Sequence, residues 1–420
     1  MNWPTRRRLI VGGGALAAAG TIAWLRPRDR GAGGHDEYFA GVSSALKRAG
    51  IAQPTLVIDT QRLAANIKVV REALAPTPLG LRIVSKSLPV VELLGTVMDG
   101  TGSNQLMVFN GVMLEALCVF RPAADLLLGR PLPVVQVAAF VRQHVGDARP
   151  AARPQWLVDS LQRLSQYLEV AKANQTTLRV NFEIDVGLHR GGFADGQALA
   201  AAIEMAQASK CCEITGLMGY DAHVVAVPFQ DAALRDSLAR YREAREVLQA
   251  HVQRDAVKLT LNTAGSPTYR LHLDDRIANE VAIGSGFVKP MDFDIPTLTQ
   301  HIPAAFIAEP VLKALDPAQI PTIERFTPLI NAWDPNSRQG FFLYGGYGDA
   351  EPVSPAGLEF SALYEHHALL TGSSRVGLRQ DDFVFMRPHE SEGTFLQYGD
   401  AAVYDGGEIV ARWPTFPIAA

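Results

Sequence analysis

Lys86 stands at the end of a run that reads as a buried strand, in Arg82-Ile83-Val84-Ser85-Lys86-Ser87-Leu88-Pro89. Burying an unpaired ammonium is costly. An amine held in such a place has its charged form disfavoured and is suited to form a Schiff base with a carbonyl. A strand-end lysine that simply reaches solvent is the plainer reading of the same residue. Two further segments shift the balance: Asn262-Thr263-Ala264-Gly265-Ser266-Pro267-Thr268-Tyr269 and Gly284-Ser285-Gly286 each follow an apolar run with small, hydroxyl-bearing, glycine-containing residues. Glycine lets the backbone approach an anion, and local N–H dipoles favour its charge. Either segment alone is an ordinary turn.

Such chemistry requires the lysine and both loops to share one rim. From about Thr55 to Val288, short β-branched or apolar runs alternate with longer amphipathic stretches, the pattern of a parallel sheet with crossover helices. A first strand, Thr55–Ile58, and a helix through Asn66–Leu74 precede a series of strand candidates: Leu81–Ser85, Leu106–Phe109, Asp125–Leu128, Gln155–Val158, Leu178–Ile184, Glu213–Met218, Lys258–Leu261 and Glu280–Ile283. Leu161–Ala173 and Ala232–His251 carry apolar residues at helical spacing. Strand-helix units in this number predict an α/β fold, a TIM (β/α)8 barrel, whose chemistry lies at the C-terminal strand ends. Lys86 then follows the first barrel strand, and the glycine loops follow the seventh and eighth, where such barrels commonly bind phosphate. A Schiff-base lysine facing a phosphate cradle points to pyridoxal 5′-phosphate, PLP.

The barrel with its preceding strand is assigned to residues 37–292 and a C-terminal β domain to 293–420. In the latter, short strands with Gly/Pro turns appear at Gln339–Tyr344, Asp382–Met386, Ala402–Tyr404 and Glu408–Trp413, the last two joined by Asp405-Gly406-Gly407. With 420 residues, 48% hydrophobic and 20% charged, the chain is long enough for a sizeable core and is neither disordered nor collagen-like. A net charge of −4 without a basic stripe beyond the first thirty residues excludes a nucleic-acid footprint and favours a small-molecule ligand. The three cysteines, Cys118, Cys211 and Cys212, lack the spacing of a zinc site or a disulfide framework. Residues 1–36 are set apart: Thr5-Arg6-Arg7-Arg8, an uncharged run from Leu9 to Leu25 and Arg26-Pro27-Arg28 resemble a twin-arginine export signal, cleaved or retained as a membrane anchor. A basic tail is the alternative reading.

An ordered set of motifs resembles the D-threonine aldolase and D-serine dehydratase family of alanine-racemase-like PLP enzymes. It comprises Pro54-Thr55-Leu56-Val57-Ile58-Asp59 with Asn66-Ile67, Lys86-Ser87, Glu183-Ile184-Asp185-Val186-Gly187-Leu188-His189-Arg190, Gly216-Leu217-Met218-Gly219-Tyr220-Asp221-Ala222-His223 and Gly284-Ser285. The resemblance runs from about Pro54 to Trp413. It implies Lys86 as the PLP lysine, Arg190 near the cofactor, Tyr220 close to the pyridine ring, and Gly265, Ser266, Gly284 and Ser285 around the phosphate. It also implies proton transfer at a substrate hydroxyl by His223, and a homodimer. For Arg190 a salt bridge to Asp185 or Glu183 is the plain alternative; for His223, a hydrogen bond within its loop.

The chain departs from the family where related enzymes carry a His-x-Cys or His-x-Asp pair for a divalent metal. Here Arg387-Pro388-His389-Glu390-Ser391-Glu392 keeps His389 but puts Ser391 at the second ligand position. A neutral hydroxyl is a poor ligand for zinc or manganese. Glu390 or Glu392 could substitute, although strand alternation points Glu390 to the opposite face. His366 and His367 receive no role. The expected activity is that of a PLP-dependent lyase acting on a D-β-hydroxy amino acid. A racemase, with Tyr344, Tyr347 and Tyr364 available as second base, and a non-catalytic PLP-binding protein are the alternatives; the C-terminal β domain argues against the latter.

The export reading places the mature protein in the periplasm. Replacing Arg6 and Arg7 by Lys and fractionating the cells tests it: the expected result is retention in the cytoplasm, and an unchanged distribution removes the argument.

Overall fold

The computed structural model describes residues 26–252, 259–319, 324–345, 349–364 and 367–417. Residues 1–25 of the export segment, Lys258, Tyr347 and His366 lie outside them. After strand β1 (Thr55–Asp59) and helix α2 (Thr60–Leu74), which follow helix α1 (Glu37–Arg48), come the barrel strands β2 (Gly80–Val84), β3 (Gln105–Val108), β4 (Asp125–Leu128), β5 (Gln155–Val158), β6 (Leu178–Glu183), β7 (Cys212–Met218), β8 (Thr260–Thr263) and β9 (Glu280–Ile283). They close in that order into a parallel barrel, β2 pairing with β9 so that Leu81 faces Val281 and Ile83 faces Ile283. The strands read as nearly continuous apolar runs because both faces are covered. Helices α3 (Val91–Thr101), α4 (Gly111–Phe120), α5 (Val134–His144), α6 (Leu161–Ala173), α7 (Gly196–Ala208) and α8 (Gln230–His251) follow β2 to β7. The side chains of Asn110, Ser160 and Asp195 accept the N–H of Met113, Arg163 and Ala198 and so fix where α4, α6 and α7 begin.

The last two strands depart from the expected strand-helix units. Among the described residues only short 3-10 turns follow β8, at Tyr269–His272, and β9, at Ser285–Phe287, Met291–Phe293 and Pro296–Leu298. Helix α2 lies against the Ser285–Phe287 turn. The fully buried Asn66 donates from Nδ2 to the carbonyls of Phe287 and Ile302 and accepts the Ile302 N–H, so a helix from before the barrel is tied to the turn after β9.

The barrel floor is built from charges that the sequence pattern did not announce. Arg82, wholly buried, donates to Glu280 at 2.5 Å and to Asp125 at 2.8 Å, and Asp125 also receives Arg179 and Gln155. Burial pushes the Asp125 carboxyl up, but Arg82 and Arg179 outweigh it and hold the group below its ordinary value.

The chain divides into two compact units, one of residues Leu56–Ala305, Pro388–Gly406 and Val410–Ala420, the other of residues to Thr55, Phe306–Arg387 and Gly407–Ile409. The division therefore falls after Ala305 rather than at 292/293, and each unit borrows from the other's stretch of sequence. In the barrel unit, β16 (Ala401–Asp405) pairs in parallel with β1, Val57 beside Ala402. In the second unit, β10 (Ala305–Leu315) lies between β11 (Gln339–Leu343) and β15 (Phe383–Pro388), all antiparallel; β14 (His367–Gly372) and β13 (Glu359–Tyr364) extend the sheet beyond β11, and β12 (Ala350–Ser354) pairs with β15. Helix α1 belongs here because its apolar face needs this sheet: the Phe39 ring lies 5.0 Å from that of Phe306 and 4.9 Å from that of Phe385. Strand β17 (Glu408–Trp413) ends the described strands.

Arg82→Met leaves the buried Glu280 carboxylate without its cation. Denaturant unfolding is expected to show a loss of about 3–5 kcal/mol, and a loss below 1 kcal/mol on that scale would show that the floor network is dispensable.

Candidate active site

At the C-terminal mouth of the barrel a cavity of about 270 Å³ opens, near the lower end of the range of about 300–1,000 Å³ for small-molecule sites. Lys86, Arg190, Tyr220, Gly265, Ser266, Gly284 and Ser285, all expected from sequence, line it together. Lys86 enters it from the 3-10 turn Ser85–Ser87 directly after β2. Its Nζ lies 2.5 Å from Glu392 Oε1 and 4.6 Å from the centre of the Phe109 ring. The lysine of the sequence reading is thus neither unpaired nor simply turned to solvent.

The cradle opposite is formed by close backbone approach. Ala264 takes a left-handed φ of 63° and turns the chain off β8, a strain that a side chain tolerates only where the surroundings enforce it. A Cβ on Gly265 would run into the Tyr220 ring, and one on Gly284 would stand 2.7 Å from Val84 Cβ and 2.8 Å from Ser87 Cβ. Ser266 Oγ accepts the N–H of both Gly284 and Gly286 at 3.0 Å. With both lone pairs engaged, its own proton remains to be donated.

Behind the cradle, Asp221, fully buried, accepts from Thr268 Oγ1 at 2.6 Å and from His272 Nε2 at 2.7 Å, while Thr268 Oγ1 accepts the Gly265 N–H. His301 Nδ1 meets the Gly286 carbonyl at 2.7 Å and so carries the proton, leaving Nε2 to accept from the Tyr269 hydroxyl. Burial holds the His301 imidazole neutral, its pKa lowered to about 4. The sequence reading missed this support, although Asp221 and Thr268 both stand in strand-end segments that it had singled out.

Arg190 makes the ion pair of its plainer reading and also lines the cavity. It donates to Glu183 Oε1 at 3.0 Å and lies 4.8 Å over the Tyr220 ring while lining the cavity. Asp185 is engaged by His189 instead, at 2.6 Å. Burial pushes the Tyr220 hydroxyl up to about 12, so it stays protonated.

His223 is not brought to the cavity. Its ring lies against Gly187, and its buried Nδ1 has no hydrogen-bond partner among the described residues.

Among the described residues no group of three or more His, Cys, Asp or Glu side chains could hold an ion. His389 Nδ1 is 2.8 Å from Asp292 Oδ1, and Ser391 is fully buried with its Oγ unpartnered, turned away from the cavity that its two neighbours line. The alternation argument for Glu390 does not hold: β15 ends at Pro388 and the next helix, α10 (Glu392–Phe395; α9 being Thr327–Trp333 of the second unit), begins at Glu392, so residues 389–391 form a bend. Glu390 and Glu392 therefore both face the cavity. Burial, then the charges of Glu392 and Asp292, raise the Glu390 carboxyl to about 7, and its Oε2 is buried without a partner.

Residues 58–289 match the model of the family described as "Alanine racemase, N-terminal domain", and the chain belongs to that family, whose fold binds PLP. No curated protein sequence matches the chain. Among solved structures it is similar to D-threonine aldolase from Filomicrobium marinum, with 16% identity and a TM-score of 0.71 over 86% of this chain and 94% of that one. It is also similar to D-threo-3-hydroxyaspartate dehydratase from Delftia sp. HT23, with 15% identity and a TM-score of 0.69 over 87% and 98%. An alanine racemase from Bacillus anthracis has 12% identity and a TM-score of 0.64 over 86% and 97%. At these identities the likeness is one of fold.

The site fits PLP: an amine on one side, and on the other two loops whose backbone comes so close that a Cβ at Gly265 or Gly284 would collide with Tyr220 or with Val84 and Ser87. It does not fit a divalent metal. Gly284→Ala is expected to weaken PLP binding at least tenfold, measured by absorbance titration, because the added carbon must displace Val84 or Ser87. Unchanged affinity would place the phosphate elsewhere.

Proposed function

We propose that the chain is a PLP-dependent lyase that cleaves or dehydrates a D-β-hydroxy amino acid. The observation that carries this reading is the carboxylate wall beside Lys86: Glu390 and Glu392 line the cavity with that amine, within one barrel unit. Lys86, Arg190 and Tyr220 would hold the cofactor ring, and Gly265, Ser266, Gly284 and Ser285 its phosphate. When bound, PLP supplies an electron sink for a bond broken at the substrate α-carbon.

The residues supply the rest. Ser266 donates its hydroxyl proton toward the anion, and Tyr220, kept neutral by burial, covers Gly265 and supports Arg190. Glu390, which lines the cavity beside Lys86, accepts the proton of the substrate β-hydroxyl, the task that the family resemblance assigned to His223. Its ionised form prevails above pH about 7 and is lost as pH falls through that value.

The deciding experiment is product analysis on matched D- and L-amino acids with and without chelator. An aldehyde with glycine, or an oxo acid with ammonia, is expected from D-β-hydroxy substrates only, undiminished by chelator and declining below pH about 7. Glu390→Gln is expected to cut turnover by about two to four orders of magnitude, with His223→Ala close to the unaltered enzyme. Racemised amino acid without these products would replace the lyase reading by a racemase.

A further inference from the structure

Lys86 Nζ is clamped between a carboxylate and an aromatic face. Glu392 Oε1 lies 2.5 Å away, and the Phe109 ring centre 4.6 Å away. The ring attracts a cation but accepts no proton. Among the described residues, Glu392 is the carboxylate within ion-pair distance of this amine. It also stands on a firm base: it opens α10, whose Thr394 and Phe395 are buried, and the Phe395 N–H returns to the Ser391 carbonyl. The other titratable groups in the cavity lining are Glu390, Tyr220 and Arg190, with the Asp292–His389 pair outside the lining.

An amine adds to a carbonyl only after losing a proton, and the oxygen it displaces leaves only after gaining one. A group that does both must already touch the ammonium. We propose that Glu392 is the proton partner of Lys86, taking the ammonium proton as the amine bonds to the cofactor carbonyl and returning it to the departing oxygen. The inference rests on reading Lys86 as the cofactor lysine.

The step balances. One ammonium proton passes to Glu392; the Nζ lone pair forms a bond to the carbonyl carbon while the π pair moves to oxygen. That oxygen takes a second proton from Nζ and the stored one from Glu392, and leaves as water. A protonated C=N bond and an ionised Glu392 remain, with total charge unchanged and no oxidant or reductant used.

The test follows reconstitution of the full chain with PLP, by the absorbance of the C=N bond and by borohydride-fixed label on Lys86 at timed intervals. Pyridoxamine 5′-phosphate, which has no carbonyl, reports separately on the intact site. Glu392→Gln is expected to bind pyridoxamine 5′-phosphate normally yet form the C=N bond about 100-fold more slowly. Glu392→Asp should recover part of the rate, and formate should accelerate Glu392→Ala. Label acquired by Glu392→Gln at the unaltered rate overturns the proposal. Loss of pyridoxamine 5′-phosphate binding in Glu392→Gln overturns it too, because the residue would then hold the site together rather than carry a proton. Absence of label on Lys86 in the unaltered chain overturns the parent reading instead.

Discussion

An ammonium at the mouth of an apolar barrel must be given partners without being used up by them. Lys86 is about one-third exposed, as is Glu392, so the attraction between them is partly screened by water and stabilises the fold by no more than about 1 kcal/mol. Its consequence is positional. The pair keeps the amine at the cavity wall, against Phe109, and brings a stretch of chain from beyond residue 387 into the barrel unit. The floor of the barrel solves the opposite problem. There Arg82 is sealed among Glu280 and Asp125 with no path to solvent, which suits a structural plug and denies it chemistry.

Everything opposite the lysine depends on how near the backbone can come. Gly284 lies against Val84 and Ser87, the two residues that flank the lysine turn, so the position of the cradle and the position of Lys86 are one constraint. Ser266 joins the loops after β8 and β9 through a single oxygen, and Asp221 ties the loop after β7 to Thr268 and His272. A rigid frame of this kind fixes reacting groups at low entropic cost. It also explains why the last two strands lack helices. The turns after them are occupied in forming the cradle, and α2 is fastened to one of them through Asn66.

The barrel was legible because each strand is a short, nearly uninterrupted apolar run bounded by polar caps. Asp125–Leu128, Gln155–Val158 and Glu280–Ile283 coincide with the expected limits. Lys86 and the glycine loops were legible for a related reason, since an ammonium or a Gly-Ser pair directly after such a run needs explaining. What periodicity could not show was long-range exchange between units. Nothing local says that α1 joins the β-rich unit, or that residues 388–406 return to the barrel. The orientation of Glu390 failed for the same reason: alternation along a strand has no meaning once the strand has ended at Pro388.

Ser391 links this failure to the chemistry. In a continuing strand, His389 and Ser391 would share a face and Glu390 would oppose them. The bend after Pro388 reverses that arrangement: Ser391 is buried, His389 turns to Asp292, and the two glutamates face the amine. With Glu392 paired to Lys86, Ser391 buried and His389 paired to Asp292, the wall offers an ammonium counterion in Glu392 and a proton acceptor in Glu390 rather than a set of converging metal ligands. Similarity of fold to the aldolase and the dehydratase spans 86–87% of the chain, but at 15–16% identity it does not carry over the residues of this wall. At that wall burial and the neighbouring charges of Glu392 and Asp292 move the Glu390 carboxyl up to about 7, so a proton acceptor that works near neutral pH stands beside the amine without any metal ligand.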